Sequence, residues 1–153
     1  MKHYILDGNN LIGKIPELFN IQKKDPQSSR VKLAYMIDNY FSSRKEKVSL
    51  HFDGFSKDVI KINNAKIIYS DNKSADEKIK IQIEKSKNTR QLIVVTSDNN
   101  LAQFAKVCSC KVIASDSFAK IIVNRAKDDE SSIIDELRKS SGEFEKLFGV
   151  DDT

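Results

Sequence analysis

The sequence predicts an α/β domain with a mostly parallel central sheet of about five strands, and three observations carry that prediction. Five short, bounded, β-rich runs recur along the chain, amphipathic stretches with helical spacing lie between them, and acidic residues stand at the ends of several runs rather than inside them. Strands alternating with helices favour a parallel sheet covered on both faces, a three-layer α/β/α arrangement in which ligands bind beyond the carboxyl ends of the strands.

In chain order, Tyr4-Ile5-Leu6 is the first run and Asp7-Gly8 ends it. Leu33, Ala34, Ile37, Tyr40 and Phe41 then share one helical face. Val48 to Phe52 is the second run, ended by Asp53-Gly54, and Ala65 to Tyr69 is the third. The stretch 74–87 is ambiguous, because Ile79, Ile81 and Ile83 recur with period two. Its entrance decides for helix: Ser74-Ala75-Asp76-Glu77 has the form of a capping box, in which Ser74 and Glu77 satisfy free amides at a helix start. Leu92 to Val95 is the fourth strand, followed by Thr96, Ser97 and Asp98. Leu101, Phe104, Ala105 and Cys108 form a helical face, Lys111 to Ile113 a fifth strand, and Phe118, Ile121 and Ile122 a last helical face. From Ser131 onward a short amphipathic helix runs through Ile133, Ile134 and Leu137, breaks near Gly142, and resumes with Phe144, Leu147 and Phe148. The expected organisation is one domain over 1–127, with 128–153 as an acidic helical appendage packed on it.

A chain of 153 residues suits one hydrophobic core. No apolar run approaches the roughly 20 residues that cross a bilayer, and the first residues lack the zones of a signal peptide, so a cytoplasmic protein with no membrane partner is expected. Cys108 and Cys110 flank one serine, where a bridge would be strained, and are read as reduced thiols. His3 and His51 sit alone in separate apolar runs, so packing rather than zinc ligation is expected of all four residues. The net charge of +4 conceals an asymmetry. Residues 128–153 carry nine acidic and three basic side chains, a net of −6, which leaves a body of +10. A basic body suits a polyanionic partner such as nucleic acid, and acquires weight only alongside a site.

The strand ends supply that site. Asp7, Asp53 and Asp98 follow three of the runs, and Asp76, in a first helical turn after the third run, joins the same edge. Four acids in one crevice repel one another unless a counter-charge is present. A divalent cation resolves the conflict, since Mg²⁺ and Mn²⁺ take oxygen ligands and are commonly held by a few carboxylates together with substrate phosphates. The chemistry such a site suits is phosphodiester hydrolysis. Each acid taken singly has a plainer reading: Asp98 and Asp76 as capping-region residues, Asp7-Gly8 and Asp53-Gly54 as turns. Capping does not require acids at nearly every strand end on one edge. Asn9, Asn10 and Ser97 add polar groups there, Asn10 to orient a ligand or phosphate and Ser97 to bond a carboxylate.

Ile5-Leu6-Asp7-Gly8-Asn9-Asn10-Leu11-Ile12-Gly13, His51-Phe52-Asp53-Gly54, Ser74-Ala75-Asp76-Glu77 and Val94-Val95-Thr96-Ser97-Asp98 occur in an order that resembles the NYN domain family, in its YacP-like branch within the PIN-like nuclease superfamily. The resemblance spans about Met1 to Arg125. It implies a PIN-like α/β/α fold and Mg²⁺- or Mn²⁺-dependent cleavage of RNA by clustered aspartates. Carried over by residue, it implies Asp7, Asp76 and Asp98 as the metal-binding core, Asp53 as an additional acid, and Asn10 and Ser97 as polar support. Arg30 matches a basic position of the branch, for phosphate contact or an ion pair within the site. The branch more often has threonine at Ser74, an aliphatic residue at His51 and alanine at Gly54, and the run Asn99 to Gln103 does not match its acidic stretch. None of these departures removes a carboxylate.

The reading is therefore a metal-dependent ribonuclease, an endonuclease acting on single-stranded RNA, including RNA associated with the ribosome. The basic body and the absence of a Gly-rich phosphate loop favour RNA over a small phosphate ester. Lys14, Arg30, Lys57 and Lys73 are candidates for gripping its backbone; for each, a solvated side chain is the plainer alternative. Tyr69 and Phe55 are candidates for base stacking, with packing as theirs. Two other functions compete. A receiver-like domain would use Asp53, Thr96 or Ser97, and Lys106, but lacks the acidic pair expected after the first strand, where Asp7-Gly8 stands. A non-catalytic RNA- or ribosome-binding module would keep the fold without cleavage.

Overall fold

The computed structural model describes residues 1–128. The expected appendage from 128 on therefore lies almost wholly outside the described residues. Five strands, β1 (His3–Asp7), β2 (Lys47–Phe52), β3 (Lys66–Tyr69), β4 (Leu92–Val95) and β5 (Lys111–Ile113), form one sheet in the order β3-β2-β1-β4-β5. Every pairing is parallel. The helices are α1 (Gly8–Lys14), α2 (Pro16–Lys24), α3 (Pro26–Tyr40), α4 (Ala75–Lys85), α5 (Asn99–Val107) and α6 over 115–128. The three-layer α/β/α fold expected from sequence is what forms. Among the described residues no helix is long and apolar enough to cross a membrane.

Alternation along the strands sorts the core into two halves. On one face Tyr4, Leu6, Val48, Leu50, Phe52, Ile93 and Val95 pack against Leu11, Ile12 and Leu18 of α1 and α2, Leu33, Ala34 and Ile37 of α3, and Phe118 and Ile122 of α6. On the other, Ile5 and Val94 meet Ile79 and Ile83 of α4 and Leu101 and Ala105 of α5. In α6 the packed stripe is Phe118, Ala119 and Ile122, while Ile121 is exposed, which corrects the expected face by one position. The period-two isoleucines resolve as helix, with the serine half of the capping box formed: Ser74 Oγ accepts from the Glu77 amide at 3.1 Å, α4 begins at Ala75, and Ile79 and Ile83, one turn apart, are the buried pair, while the Glu77 carboxylate does not bond the Ser74 amide.

The second face is only partly covered. The β2–β3 half carries polar side chains beside α4, and the two histidines are linked there rather than separate. His51 Nε2 bonds Gln82 Oε1 at 2.7 Å, Gln82 Nε2 donates to Ser49 Oγ at 3.0 Å, and Ser49 Oγ meets His3 Nε2 at 2.8 Å. Burial holds both imidazoles below their usual pKa, so they pack as neutral hydrogen-bonded groups. Cys108 and Cys110 are free thiols, as expected.

Gly8 is where the chain turns from β1 directly into α1. A Cβ there would stand 2.5 Å from the His51 carbonyl oxygen and under 3 Å from the Phe52 ring, so only glycine lets β1 and β2 close. Gly8→Ala is expected to cost about 1–3 kcal/mol, the usual cost of overpacking, despite alanine's better helix propensity. A chemical-denaturation midpoint equal to or above wild type would contradict this.

Candidate active site

β1 ends in Asp7 with α1 starting at the next residue, and this puts a carboxylate in the middle of the sheet's carboxyl edge. Asp7 is 9% exposed. Thr96, buried at the end of β4, donates its hydroxyl to Asp7 Oδ2 at 3.1 Å and accepts from the Asp98 amide at 3.1 Å, so one hydroxyl joins the ends of two adjacent strands. Burial pushes the Asp7 carboxyl up to about 6; the Thr96 hydroxyl and the Asn10 amide pull it down, and the charges of Asp53 and Asp76 raise it further. Asp7 is thus a strand-end acid that feels two of the other three candidates electrostatically.

The other three acids each do local structural work as well. Asp53 Oδ1 accepts from the Ala75 amide at 2.7 Å and ties the end of β2 to the start of α4. Asp98 caps α5, its Oδ1 accepting from the Leu101 amide at 3.0 Å. Asp76 sits in the first turn of α4, where its Oδ2 lies 3.2 Å from Lys80 Nζ, one turn on. Its Oδ1 is buried and has no hydrogen-bond partner. Capping and convergence coexist: Asp7, Asp53, Asp76 and Asp98 line one cleft of about 330 Å³ with Asn9, Asn10, Ser74 and Ala75. Among the described residues no cationic side chain lines it.

The supporting residues lie differently from what their types suggested. Asn10 Oδ1 accepts from the Ser97 amide at 2.9 Å and Asn9 Oδ1 from the Asp53 amide at 2.8 Å, so the paired asparagines brace two neighbouring strand ends. Ser97 Oγ accepts from the Ser115 amide at 2.9 Å instead of facing a carboxylate. The hydroxyl on the carboxylate is that of Thr96. Arg30 of α3 donates to the carbonyl oxygens of Asp53 and Phe55, the latter at 3.1 Å, and its guanidinium lies 5.6 Å from the Phe52 and Tyr69 rings. It therefore holds the backbone of the turn after β2. Gly54 in that turn adopts a φ of +82°, a state strained for alanine. Lys14, Lys57 and Lys73 are exposed, and neither they nor Arg30 line the cleft. Phe55 is 59% exposed, whereas Tyr69 packs against the core.

Comparison with known proteins agrees with this architecture. The YacP-like NYN domain matches residues 4–147. Among solved structures, a crystal structure of Rae1 (YacP) from Bacillus subtilis superposes with a TM-score of 0.68 at 23% identity, covering 97% of this chain and 93% of that one. Its W164L mutant gives the same TM-score at 22% identity, covering 94% and 86%. None of the curated proteins matches this chain.

Proposed function

The chain belongs to the YacP-like NYN domain family, of nuclease-like fold, and from that premise we propose that it is a divalent-metal-dependent ribonuclease, cutting single-stranded RNA endonucleolytically at the aspartate cleft. The observation that carries the proposal is the convergence of four carboxylates, from the ends of β1, β2 and β4 and the start of α4, on one cleft that no cationic side chain lines among the described residues.

The residues fit a hard cation. Their donors are all oxygens, and Asp76 Oδ1 is a buried acceptor with nothing to accept from. Among the described residues no three acidic, imidazole or thiolate groups stand close enough to enclose an ion by themselves. Mg²⁺ and Mn²⁺ keep several waters and take one or two carboxylates with phosphate oxygens, so they do not require a full cage of side chains. Asp7, Asp76 and Asp98 are the proposed metal-binding set, one or two of them as direct ligands and the rest through the ion's waters. Bound there, such an ion supplies Lewis-acid polarisation of the phosphoryl oxygens and activates a water near neutral pH. The chain's own residues do the positioning. Thr96 holds Asp7 by one oxygen, Asp98 is held by its capping bond, and Asp53, anchored on the Ala75 amide, keeps the two halves of the cleft in register.

RNA is the proposed substrate on the family's account and on the +10 body. Lys14, Lys57 and Lys73 are proposed to meet its backbone around the cleft, with Arg30 acting through the turn it holds. Incubating labelled single-stranded RNA with the protein is expected to give cleavage only when Mg²⁺ or Mn²⁺ is added, and none in EDTA. Tight binding without cleavage at any metal concentration would select a non-catalytic RNA- or ribosome-binding module instead.

A further inference from the structure

A second concavity, of about 450 Å³, lies on the half-covered face of the sheet, between β3 and the flank of α4. Its walls are set by two periodicities. On α4, Lys78, Gln82 and Lys85 are spaced four and three residues apart and share the stripe beside the buried Ile79 and Ile83. On the edge strand β3, Lys66 and Ile68 alternate onto the same sheet face. The register places Lys66 beside Ser49 and Ile68 beside His51, so the buried polar chain through Gln82 forms the floor.

Among the described residues three ammonium groups line this groove and no carboxylate does. None of the three makes an ion pair with another described residue, although Lys80 on the same helix pairs with Asp76 and Lys32 with Glu17. Here one sign of charge lines a concave wall that also carries Ile68 and Ile81, and low-dielectric walls concentrate such a field. The ligand chemistry this suits is the phosphodiester anion.

We propose that the groove is a remote subsite for the phosphate backbone of the same RNA strand whose scissile bond lies in the aspartate cleft, with α4 spanning the distance between the two. This rests on the ribonuclease reading given above. Asp76 in the first turn of α4 and Lys85 in its last are nine residues apart, about 14 Å along the axis, a span of a few nucleotides of extended strand. The strand would leave the acidic cleft at the helix start and run along the basic stripe.

The test measures binding in EDTA, by fluorescence anisotropy, of an end-labelled single-stranded RNA of about 12 nucleotides. The Lys66→Ala/Lys85→Ala protein is expected to bind at least about tenfold more weakly than wild type. The slope of log affinity against log salt should become shallower by about 1.4, the contribution of two lost contacts to a single strand. Removing Lys23 and Lys24, at the end of α2, should change affinity by less than about twofold. Unchanged affinity and slope in the groove variant, or an equal loss from the α2 variant, would overturn the proposal. Displacement of the RNA by equimolar adenosine monophosphate would also overturn it, assigning the groove to a free nucleotide. RNA binding lost in the groove variant, together with a wild type that cuts nothing with Mg²⁺ or Mn²⁺, would sink the ribonuclease reading and leave the subsite standing. Metal-dependent cutting with an unaffected groove variant would do the reverse.

Discussion

Asp76→Asn is expected to lower kcat for RNA cleavage by at least about 100-fold, the scale on which loss of groups that support a metal site is felt. Its melting temperature should stay within roughly 3 °C of wild type. The two effects separate because of where the two oxygens lie. Oδ2 makes only a pair with Lys80 one helical turn away, of the kind worth about 0.3–0.5 kcal/mol. Oδ1 has no hydrogen-bond partner that asparagine would lose, so the fold has little use for it, whereas a bound cation would use it. A rate measured under saturating Mn²⁺, with thermal unfolding on the same preparation, checks both. Unimpaired cleavage would remove Asp76 from the machinery.

Asp7→Asn is expected to abolish cleavage and to stabilise the metal-free fold. Burial raises the Asp7 carboxyl from 3.8 to about 6, so carrying it ionised at neutral pH costs about 3 kcal/mol in the absence of a cation. Asparagine carries no charge and can still accept from Thr96 Oγ1. The melting temperature in EDTA at neutral pH should rise by roughly 5–10 °C. The sign with pH follows from a folded pKa above the unfolded one. The penalty is absent below about pH 4, grows between 4 and 6, and is complete above 6, so the variant's advantage shrinks as pH falls through that window. Half-buried His3 and buried His51 cost stability as pH falls below the usual imidazole range, but they do so equally in both proteins. Added Mg²⁺ should narrow the gap from the other side, because it is expected to stabilise the wild type more than the variant. A variant less stable than wild type at pH 7.5 in EDTA would show that Asp7 serves the fold rather than burdens it.

The sheet was legible because its signals are local. Each of the five runs lies within one residue of its strand, since a parallel strand buried on both faces is a continuous apolar stretch with clear ends. α4 was legible through the Ser74 cap, although its isoleucines alone are indifferent between helix and strand. α1 and α2 were not. Leu11, Ile12, Ile15 and Leu18 belong to two short helices that meet at Ile15-Pro16, too short for either period to declare itself. Asp7-Gly8, which reads as an ordinary turn, is a strand passing straight into a helix, a geometry forced by the approach of the His51 carbonyl and visible only once β1 and β2 are paired.

The candidate site was legible in its carboxylates and less so in their supports. Four acids on one edge follow from strand polarity, which the periodicities already imply. Which hydroxyl reaches Asp7 depends on which way two consecutive residues point at the end of β4: Thr96 turns inward and Ser97 outward to the Ser115 amide, and sequence cannot separate neighbours of like chemistry. Arg30 finds its acceptors in backbone carbonyls more than 20 residues away, which no side-chain pattern announces. The basic groove was equally hidden, because its lysines come from an edge strand and a helix flank that become neighbours only through tertiary packing.

Binding of Mn²⁺, followed by electron paramagnetic resonance in the absence of RNA, reports whether the cleft holds an ion. A saturable site is expected in the wild type, with affinity reduced at least about tenfold in both Asp7→Asn and Asp76→Asn. Wild-type affinity in both variants would mean that the carboxylates, although gathered in one cleft, do not share an ion.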